Sequence, residues 1–287
     1  MDNTEKQEKY FEYNGIKFIT NMTSVEHLDW VKDYKAHQDD VFIVSYPKSG
    51  TTWMQQIVSL VLADGDVDSV KNESLYQRAP WIDFQLFRQQ SNSRTKPVLI
   101  TSHLNYQMIP TALKKKMGKV IYIARNPKDV IVSSYHFHSY FQRLKVPKDF
   151  QEFLELFVEG DVFYGSWFDH IRDWYSNKEE ISMLFVTYEE IHRDIRAGIE
   201  KIRKFLGKEL DGKIIDTIIK YSKFENMRAD PATNFLSLSK DLLDHDRGKF
   251  QRKGIVGDWK YNFLVAQNEW FDSIYQERMA DFPVKFY

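Results

Sequence analysis

The sequence predicts an α/β fold, a single domain whose central, mostly parallel sheet is flanked by helices. Three observations lead there. Short, largely β-branched apolar runs at 41–45, 98–102, 120–124 and 183–187 read as buried strands, because none has helical spacing. Longer amphipathic stretches separate them, as right-handed strand–helix–strand crossovers require. No repeat, low-complexity tract or linker interrupts the 287 residues, so one domain is expected over 1–287.

Residues 1–40 read as an irregular lead-in with one helix, Ser24–Ala36, ending in the turn-forming Gln38-Asp39-Asp40. Val41–Ser45 is the first strand. Pro47 stops it, and Gly50 admits backbone conformations closed to other residues. Gln55–Ala63 follows as a mostly buried helix, with Ile57, Val58, Leu60, Val61 and Leu62 apolar. A strand, a turn carrying Lys48, Ser49, Gly50, Thr51 and Thr52, and then a helix make an anion cradle. Free helix amides, hydroxyls and one ammonium converge there. It is not a Walker A loop, which needs a glycine directly before the lysine.

Asp64–Asn72 and Ser91–Pro97 are polar and loop-like, and Arg78–Phe84 is an aromatic segment broken by proline. Val98–Ser102 is the second strand and delivers His103 just past its end. A helix-like piece at Pro110–Met117 leads to the third strand, Val120–Ala124, which ends at Arg125. Asn126-Pro127 opens a helix running to about Gln142, with proline at a favoured first-turn position. Helical patterns cover Phe150–Val158 and Tyr164–Tyr175. Met183–Thr187 is the fourth strand, followed by one long amphipathic helix, Glu189–Leu206. Asp211–Tyr221 and a short piece near Phe224 are helical, 230–258 is irregular, and Tyr261–Met279 closes the chain.

The bulk composition removes several classes of function. A content of 43% hydrophobic and 15% aromatic residues supplies a large core, so disorder is not expected. The net charge of −1 gives no basic excess for nucleic acid or an anionic membrane surface. The chain has no cysteine, which excludes disulfides and thiolate metal sites. The N-terminus is charged, without the apolar core of a signal peptide, and no run nears the ~20 apolar residues of a membrane span. The expectation is a cytoplasmic protein with no membrane partner.

Lys48, His103 and Arg125 follow three different strands, so a parallel sheet brings them to one edge, where such sheets bind ligands. Arg125 with Ser133 could hold a phosphate; equally, Arg125 could pair with Asp129 at the i,i+4 spacing. Spacing leaves both open. Among eight histidines, His103 alone sits directly beyond a buried strand, as a catalytic base or as a structural imidazole. Arg252-Lys253-Gly254, with Gly257-Asp258-Trp259-Lys260 behind it, is a second basic loop, a pattern that is usually a solvated surface.

The wording Tyr46-Pro-Lys-Ser-Gly-Thr-Thr-Trp53 resembles the 5′-phosphosulfate loop of the cytosolic sulfotransferases, and the resemblance runs from about Gly15 to Met279. It implies that 3′-phosphoadenosine 5′-phosphosulfate (PAPS) is the donor, 3′,5′-adenosine bisphosphate the product, and that no metal takes part. Lys48, Ser49, Gly50, Thr51 and Thr52 would hold the 5′-phosphate, and Trp53 would stack on the adenine. Arg125 and Ser133, in the block Arg125-Asn-Pro-Lys-Asp-Val, match the 3′-phosphate site. Phe250-Gln-Arg-Lys-Gly254 and Gly257-Asp-Trp-Lys260 resemble the C-terminal PAPS signature, which gives Phe250, Arg252, Lys253 and Gly254 to the donor. Tyr188, Ser222, Phe224 and Met227 match positions around the nucleotide.

His103 matches the family's catalytic base. The lysine often found two residues earlier is Thr101 here. Trp81, Phe84, Phe137 and Tyr164 match the acceptor pocket, which implies a small lipophilic acceptor: a phenol first, a hydroxysteroid or an amine after it. Lys260–Glu269 resembles the family's dimer motif with Leu264 in place of threonine, implying a weak homodimer. Two other classes compete. A P-loop kinase would need the missing Walker A pair; a nucleotide-binding protein without catalysis would be expected to lack Lys48 or His103.

Overall fold

The computed structural model describes residues 9–91 and 98–286; the expectations for residues 1–8 and for 92–97 of the Ser91–Pro97 loop lie outside them. The lead-in is not irregular. It holds an antiparallel hairpin, β1 (Tyr10–Tyr13) and β2 (Ile16–Ile19). Its two-residue turn is Asn14-Gly15, both in the left-handed region with φ 52° and 73°, the conformation a tight hairpin demands. The helix α1 (Val25–Asp33) is shorter than its expected span and starts at Ser24, whose Oγ accepts the His27 N–H at 3.2 Å.

Four parallel strands form the main sheet: β3 (Val41–Val44), β4 (Leu99–Ser102), β5 (Lys119–Ala124) and β6 (Met183–Thr187). Their order is β4-β3-β5-β6. Successive side chains serve opposite faces, as the pleat requires. Val41 and Ile43 pack with Ile121, Ile123 and Val186 under α2 (Thr51–Leu62). Phe42, Val44, Val120 and Tyr122 face the larger, aromatic-rich core on the other side. Both faces are therefore covered.

The helices correct several expected boundaries. α2 starts at Thr51, not Gln55, because Gly50 in a left-handed conformation turns the chain straight into it. The loop Asp64–Asn72 contains one helical turn, α3 (Val67–Val70), capped by Asp66, and two more short helices follow, α4 (Leu75–Arg78) and α5 (Gln85–Gln90). Of the Pro110–Met117 piece only α6 (Thr111–Lys114) is helical. α7 (Pro127–Tyr140) has Asn126 as its cap and Pro127 in the first turn, as expected.

Next come α8 (Phe150–Glu159) and α9 (Trp167–Ser176). α9 cannot start at Tyr164, because Tyr164 and Gly165 both have positive φ. The helix expected over Glu189–Leu206 is two, α10 (Tyr188–Arg193) and α11 (Ile195–Leu206). Asp194 leaves the helical region and caps α11 by accepting the Ala197 N–H at 2.9 Å. α12 (Gly212–Tyr221) and α13 (Phe224–Ala229) follow, then a long irregular stretch. The closing helix divides into a 3₁₀ turn, Asp258–Tyr261, and α14 (Val265–Met279). Among the described residues no helix is long and apolar enough to cross a membrane.

The break at Asp194 gives a clean test. Asp194→Ala should cost about 1 kcal/mol by removing an N-cap, whereas Asp194→Ser should cost much less. Urea unfolding of both variants measures this; equal loss in the two would mean that the carboxylate does more than cap.

Candidate active site

The β3–α2 turn is built to present amides and charge. Lys48 (φ 69°) and Gly50 (φ 102°) both take the left-handed conformation, and the Ser49 N–H between them closes the turn on the Tyr46 carbonyl at 3.2 Å. Gly50 is the N-cap of α2 and offers no side-chain acceptor, so the first amides of the helix are uncapped by any side chain. A Cβ at Gly50 would lie 2.5 Å from the Tyr188 ring, which explains why no larger residue stands there. The Ser49 Oγ is buried without a partner, while the Thr51 hydroxyl is engaged with Ser45 Oγ at 2.7 Å.

Lys48 has no carboxylate partner among the described residues. Its ammonium lies 4.1 Å from the Phe137 ring centre and 4.4 Å from that of Phe250. Burial, with the nearby charges of Arg125 and Arg252, pushes its pKa down to about 7. Two aromatic faces attract a cation by ~0.5–2 kcal/mol each, less than desolvation and like charge take away. The site is short of negative charge.

Of the two readings of Arg125, the i,i+4 approach to Asp129 is present. Its guanidinium lies 3.9 Å from Asp129, but that carboxylate is spent on the Gly257 and Trp259 amides at 2.8 and 2.9 Å. Asp129 thus anchors the C-terminal basic loop to α7. Arg125 also donates to the Lys48 and Ile255 carbonyls and stacks 4.3 Å from the Tyr188 ring centre, yet its Nε has no partner. Arg252 and Lys253 are held by the buried Asp258 at 2.5 and 2.6 Å. Gly254 has φ 66°, and a Cβ there would lie 2.3 Å from the Phe224 ring, so the loop packs directly on that aromatic.

His103 is fixed from three directions. Its Nδ1 is 2.6 Å from the Ser45 carbonyl, which can only accept, so Nδ1 carries the proton and Nε2 is the basic nitrogen. Its own carbonyl accepts from His170 Nε2 at 3.1 Å, while His170 Nδ1 accepts from the Tyr122 hydroxyl at 2.8 Å. Its N–H donates to Asp83 at 2.7 Å. Burial lowers the His103 pKa to about 3, so the ring is neutral at physiological pH. Thr101 is buried under α2, donating to the Ala79 carbonyl and accepting from Gln55, and does not line the cavity.

One cavity of about 760 Å³ joins all of this. Lys48, Gly50, Thr51, Thr52, Trp53, Arg125, Ser133, Tyr188, Ser222, Phe224, Met227, Phe250, Arg252, Lys253 and Gly254 line it, as do His103, Trp81, Phe84, Phe137 and Tyr164. Of the residues that the resemblance assigns to the donor and the acceptor, Ser49 alone is absent from the lining. Trp53 is fixed by its indole N–H on the Ser222 carbonyl at 2.8 Å and packs against Tyr188. Trp81 lies 4.5 Å from the His103 ring and Tyr164 5.3 Å. The sequence reading missed Phe18 and Ile19 from the hairpin, Met22 just after it, and Phe235, Leu238 and Leu243 from the irregular stretch. Asn14-Gly15 was a usable signal for the first group; the second has no periodicity. Asp83 was missed too, though a carboxylate inside the apolar run Trp81-Ile-Asp-Phe84 is itself a signal. No cluster of metal-ligating residues occurs among the described residues.

Comparison with known proteins adds relatives. Residues 38–283 match the family model described as sulfotransferase domain. The chain is 42% identical to the 3-beta-hydroxysteroid sulfotransferase of Cavia porcellus, covering 96% of each chain. It is 38% identical to the amine sulfotransferase of Oryctolagus cuniculus, covering 100% of this chain and 95% of that one. Among solved structures, mouse sulfotransferase SULT7A1 complexed with PAP aligns with a TM-score of 0.77 and 32% identity, over 96% of this chain and 97% of that one.

The buried charge of Lys48 makes a prediction about stability alone. Its folded pKa is below its ordinary value, so its charge penalises folding fully below pH 7, and the penalty fades as pH rises from about 7 toward 10.5. Lys48→Met should therefore raise the melting temperature at pH 6 and much less at pH 9. An equal change at the two pH values would contradict the lowered pKa.

Proposed function

Because the chain belongs to the sulfotransferase family, we propose that it transfers a sulfuryl group from PAPS to the hydroxyl of a small lipophilic acceptor. One observation carries this reading: a single cavity holds an uncapped helix start, three convergent cations and the basic Nε2 of a neutral histidine. The residues fit the donor. Unpartnered buried groups on the lining residues Arg125 and Ser222 await hydrogen-bond partners, and Trp53, Tyr188, Phe224 and Met227 offer an aromatic and apolar slot for a base.

When bound, PAPS would supply the activated sulfuryl group, with its 5′-phosphate oxygen as the leaving group for attack by the acceptor oxygen. The α2 amides, with Ser49, Thr51 and Thr52 beside them, hold the 5′-phosphate. Arg125, Ser133, Arg252, Lys253 and Gly254 hold the 3′-phosphate. Lys48 balances the charge that grows on the leaving oxygen, which also restores its own proton affinity. His103 Nε2 accepts the acceptor proton during attack. Catalysis here is positioning and charge balance.

The acceptor side favours a neutral, flat or alicyclic alcohol. Its walls are Trp81, Phe84, Phe137 and Tyr164, extended by apolar residues of the hairpin and of 235–243. Among the described residues Glu225 is the one carboxylate lining the cavity, and it neighbours the nucleotide-side Phe224, so a cationic amine would lack a counter-charge there. We rank phenols first. Hydroxysteroids stand second, supported by the aliphatic side chains Ile19, Leu238 and Leu243 and by the hydroxysteroid relative. We place the activity in the cytosol, as the motif resemblance implies. Incubation with labelled PAPS and a competing panel of phenols, hydroxysteroids, arylamines and sugars tests the reading. Label should enter phenols first and sugars not at all; no transfer to any acceptor would leave only a nucleotide-binding protein.

We also propose a weak homodimer through Lys260–Glu269. Tyr261, Leu264 and Val265 are 84%, 68% and 76% exposed, an apolar patch that a partner would cover. Leu264 sits at the N-cap of α14 and has no hydroxyl to accept a helix amide.

Two predictions follow from these assignments. His103→Ala should lose turnover by about 10²-fold or more, while thermal stabilisation by adenosine bisphosphate stays unchanged; lost nucleotide binding would make His103 structural. In sedimentation, the wild type should self-associate with a dissociation constant of about a micromolar or weaker, and Val265→Glu should be monomeric. A nanomolar dimer that survives Val265→Glu would place the interface elsewhere.

A further inference from the structure

We propose that Asp83 is the positioning residue of the acceptor site, holding the base and the aromatic wall at Tyr164 in one rigid frame. The proposal deepens the reading of His103 as the base and rests on it. Asp83 is fully buried between α4 and α5, in a segment that reaches the main sheet through Ile82, whose N–H donates to the Thr101 carbonyl. Its carboxylate accepts three hydrogen bonds. Oδ1 takes the Ser102 hydroxyl at 2.6 Å; Oδ2 takes both the His103 N–H at 2.7 Å and the Tyr164 hydroxyl at 2.8 Å.

These bonds reach two separate parts of the site. Ser102 and His103 belong to the chain leaving β4, and the Ser102 hydroxyl oxygen also accepts the Leu104 N–H at 3.0 Å. Tyr164 comes from the α8–α9 connection, where its positive φ is a conformation that a tyrosine rarely adopts without support. The two rings meet edge to face at 5.3 Å. The position of His103 Nε2 relative to the acceptor wall therefore depends on one carboxylate that itself does not line the cavity. Burial pushes the Asp83 pKa up to about 6 against the pull of its donors, so at neutral pH it is the ionised, acceptor-only partner that all three require. A buried acid serving only as a turn staple would have no reason to join a base to a substrate wall.

The variants separate geometry from charge. Asp83→Asn keeps an acceptor oxygen for the His103 N–H and the Tyr164 hydroxyl, and its amide can donate to Ser102 Oγ once that hydroxyl rotates. Asp83→Ala removes every bond. Asp83→Ala should lower kcat by about 100-fold and raise the acceptor KM, because a small misplacement of a base is that costly. Asp83→Asn should stay within about tenfold of wild type, and Tyr164→Phe should act mainly on the acceptor KM. Adenosine bisphosphate should stabilise all three as it does the wild type. An Asp83→Ala enzyme with unchanged kcat and KM, or one that loses nucleotide binding in proportion to turnover, overturns the proposal. Should Asp83→Ala fail to fold, Asp83→Asn and Tyr164→Phe decide it: wild-type kinetics in Tyr164→Phe would show that the tie carries nothing. If the wild type transfers no sulfuryl group, the functional reading fails by itself. Exchange of the His103 backbone amide, followed by NMR, then still reports the frame: it should stay slow in Asp83→Asn and quicken in Tyr164→Phe, and no change in Tyr164→Phe would overturn the frame.

Discussion

The parallel register of β3 between β4 and β5 is the constraint on which the rest depends. Val44 stands opposite Ser102 on one side and Tyr122 on the other, so the chain leaves the sheet at neighbouring points. From these points come the Lys48 turn, His103 and, two residues past Tyr122's neighbour Ile123, Arg125. The connection from β4 to β5 crosses β3, which opens a crevice at the strand ends. A slip of one residue would carry Val41 and Ile43 to the face that buries Phe42. Burial on both faces forbids that slip, and thereby fixes the site.

Charge supplies the second level of order. Lys48, Arg125 and Arg252 converge, and two carboxylates beside them are already committed: Asp129 to two amides, Asp258 to Arg252 and Lys253. A cation about 4 Å from an anion gains about 4 kcal/mol at an effective dielectric near 20, more than two aromatic faces offer a buried ammonium. An anion with several charges is the ligand that relieves this imbalance. His103 stays neutral beside these cations because burial outweighs the pull of the Ser45 carbonyl. The same pocket thus sets convergent cations beside a neutral imidazole whose Nε2 carries a lone pair.

How much of this was legible depended on how local each feature is. The strand–turn–helix at 41–62 and the positions of His103 and Arg125 were readable, since each follows from a few adjacent residues. The single helix expected over Glu189–Leu206 failed because its apolar spacing continues across Asp194, and only the capping bond reveals the break. Asp83 escaped because its three partners lie up to 81 residues away. Phe235, Leu238 and Leu243 escaped because irregular backbone has no period to read. The hairpin is a different case: Asn14-Gly15 between two alternating runs announced it, and the charged flank drew the reading away.

A structure of the protein with adenosine bisphosphate and a small phenol tests the central claim most directly. The account predicts the 5′-phosphate on the first amides of α2 beside Lys48, and the phenol oxygen within about 3.2 Å of His103 Nε2. A nucleotide seated away from Lys48, or a phenol whose oxygen turns from His103 toward another group, would contradict it.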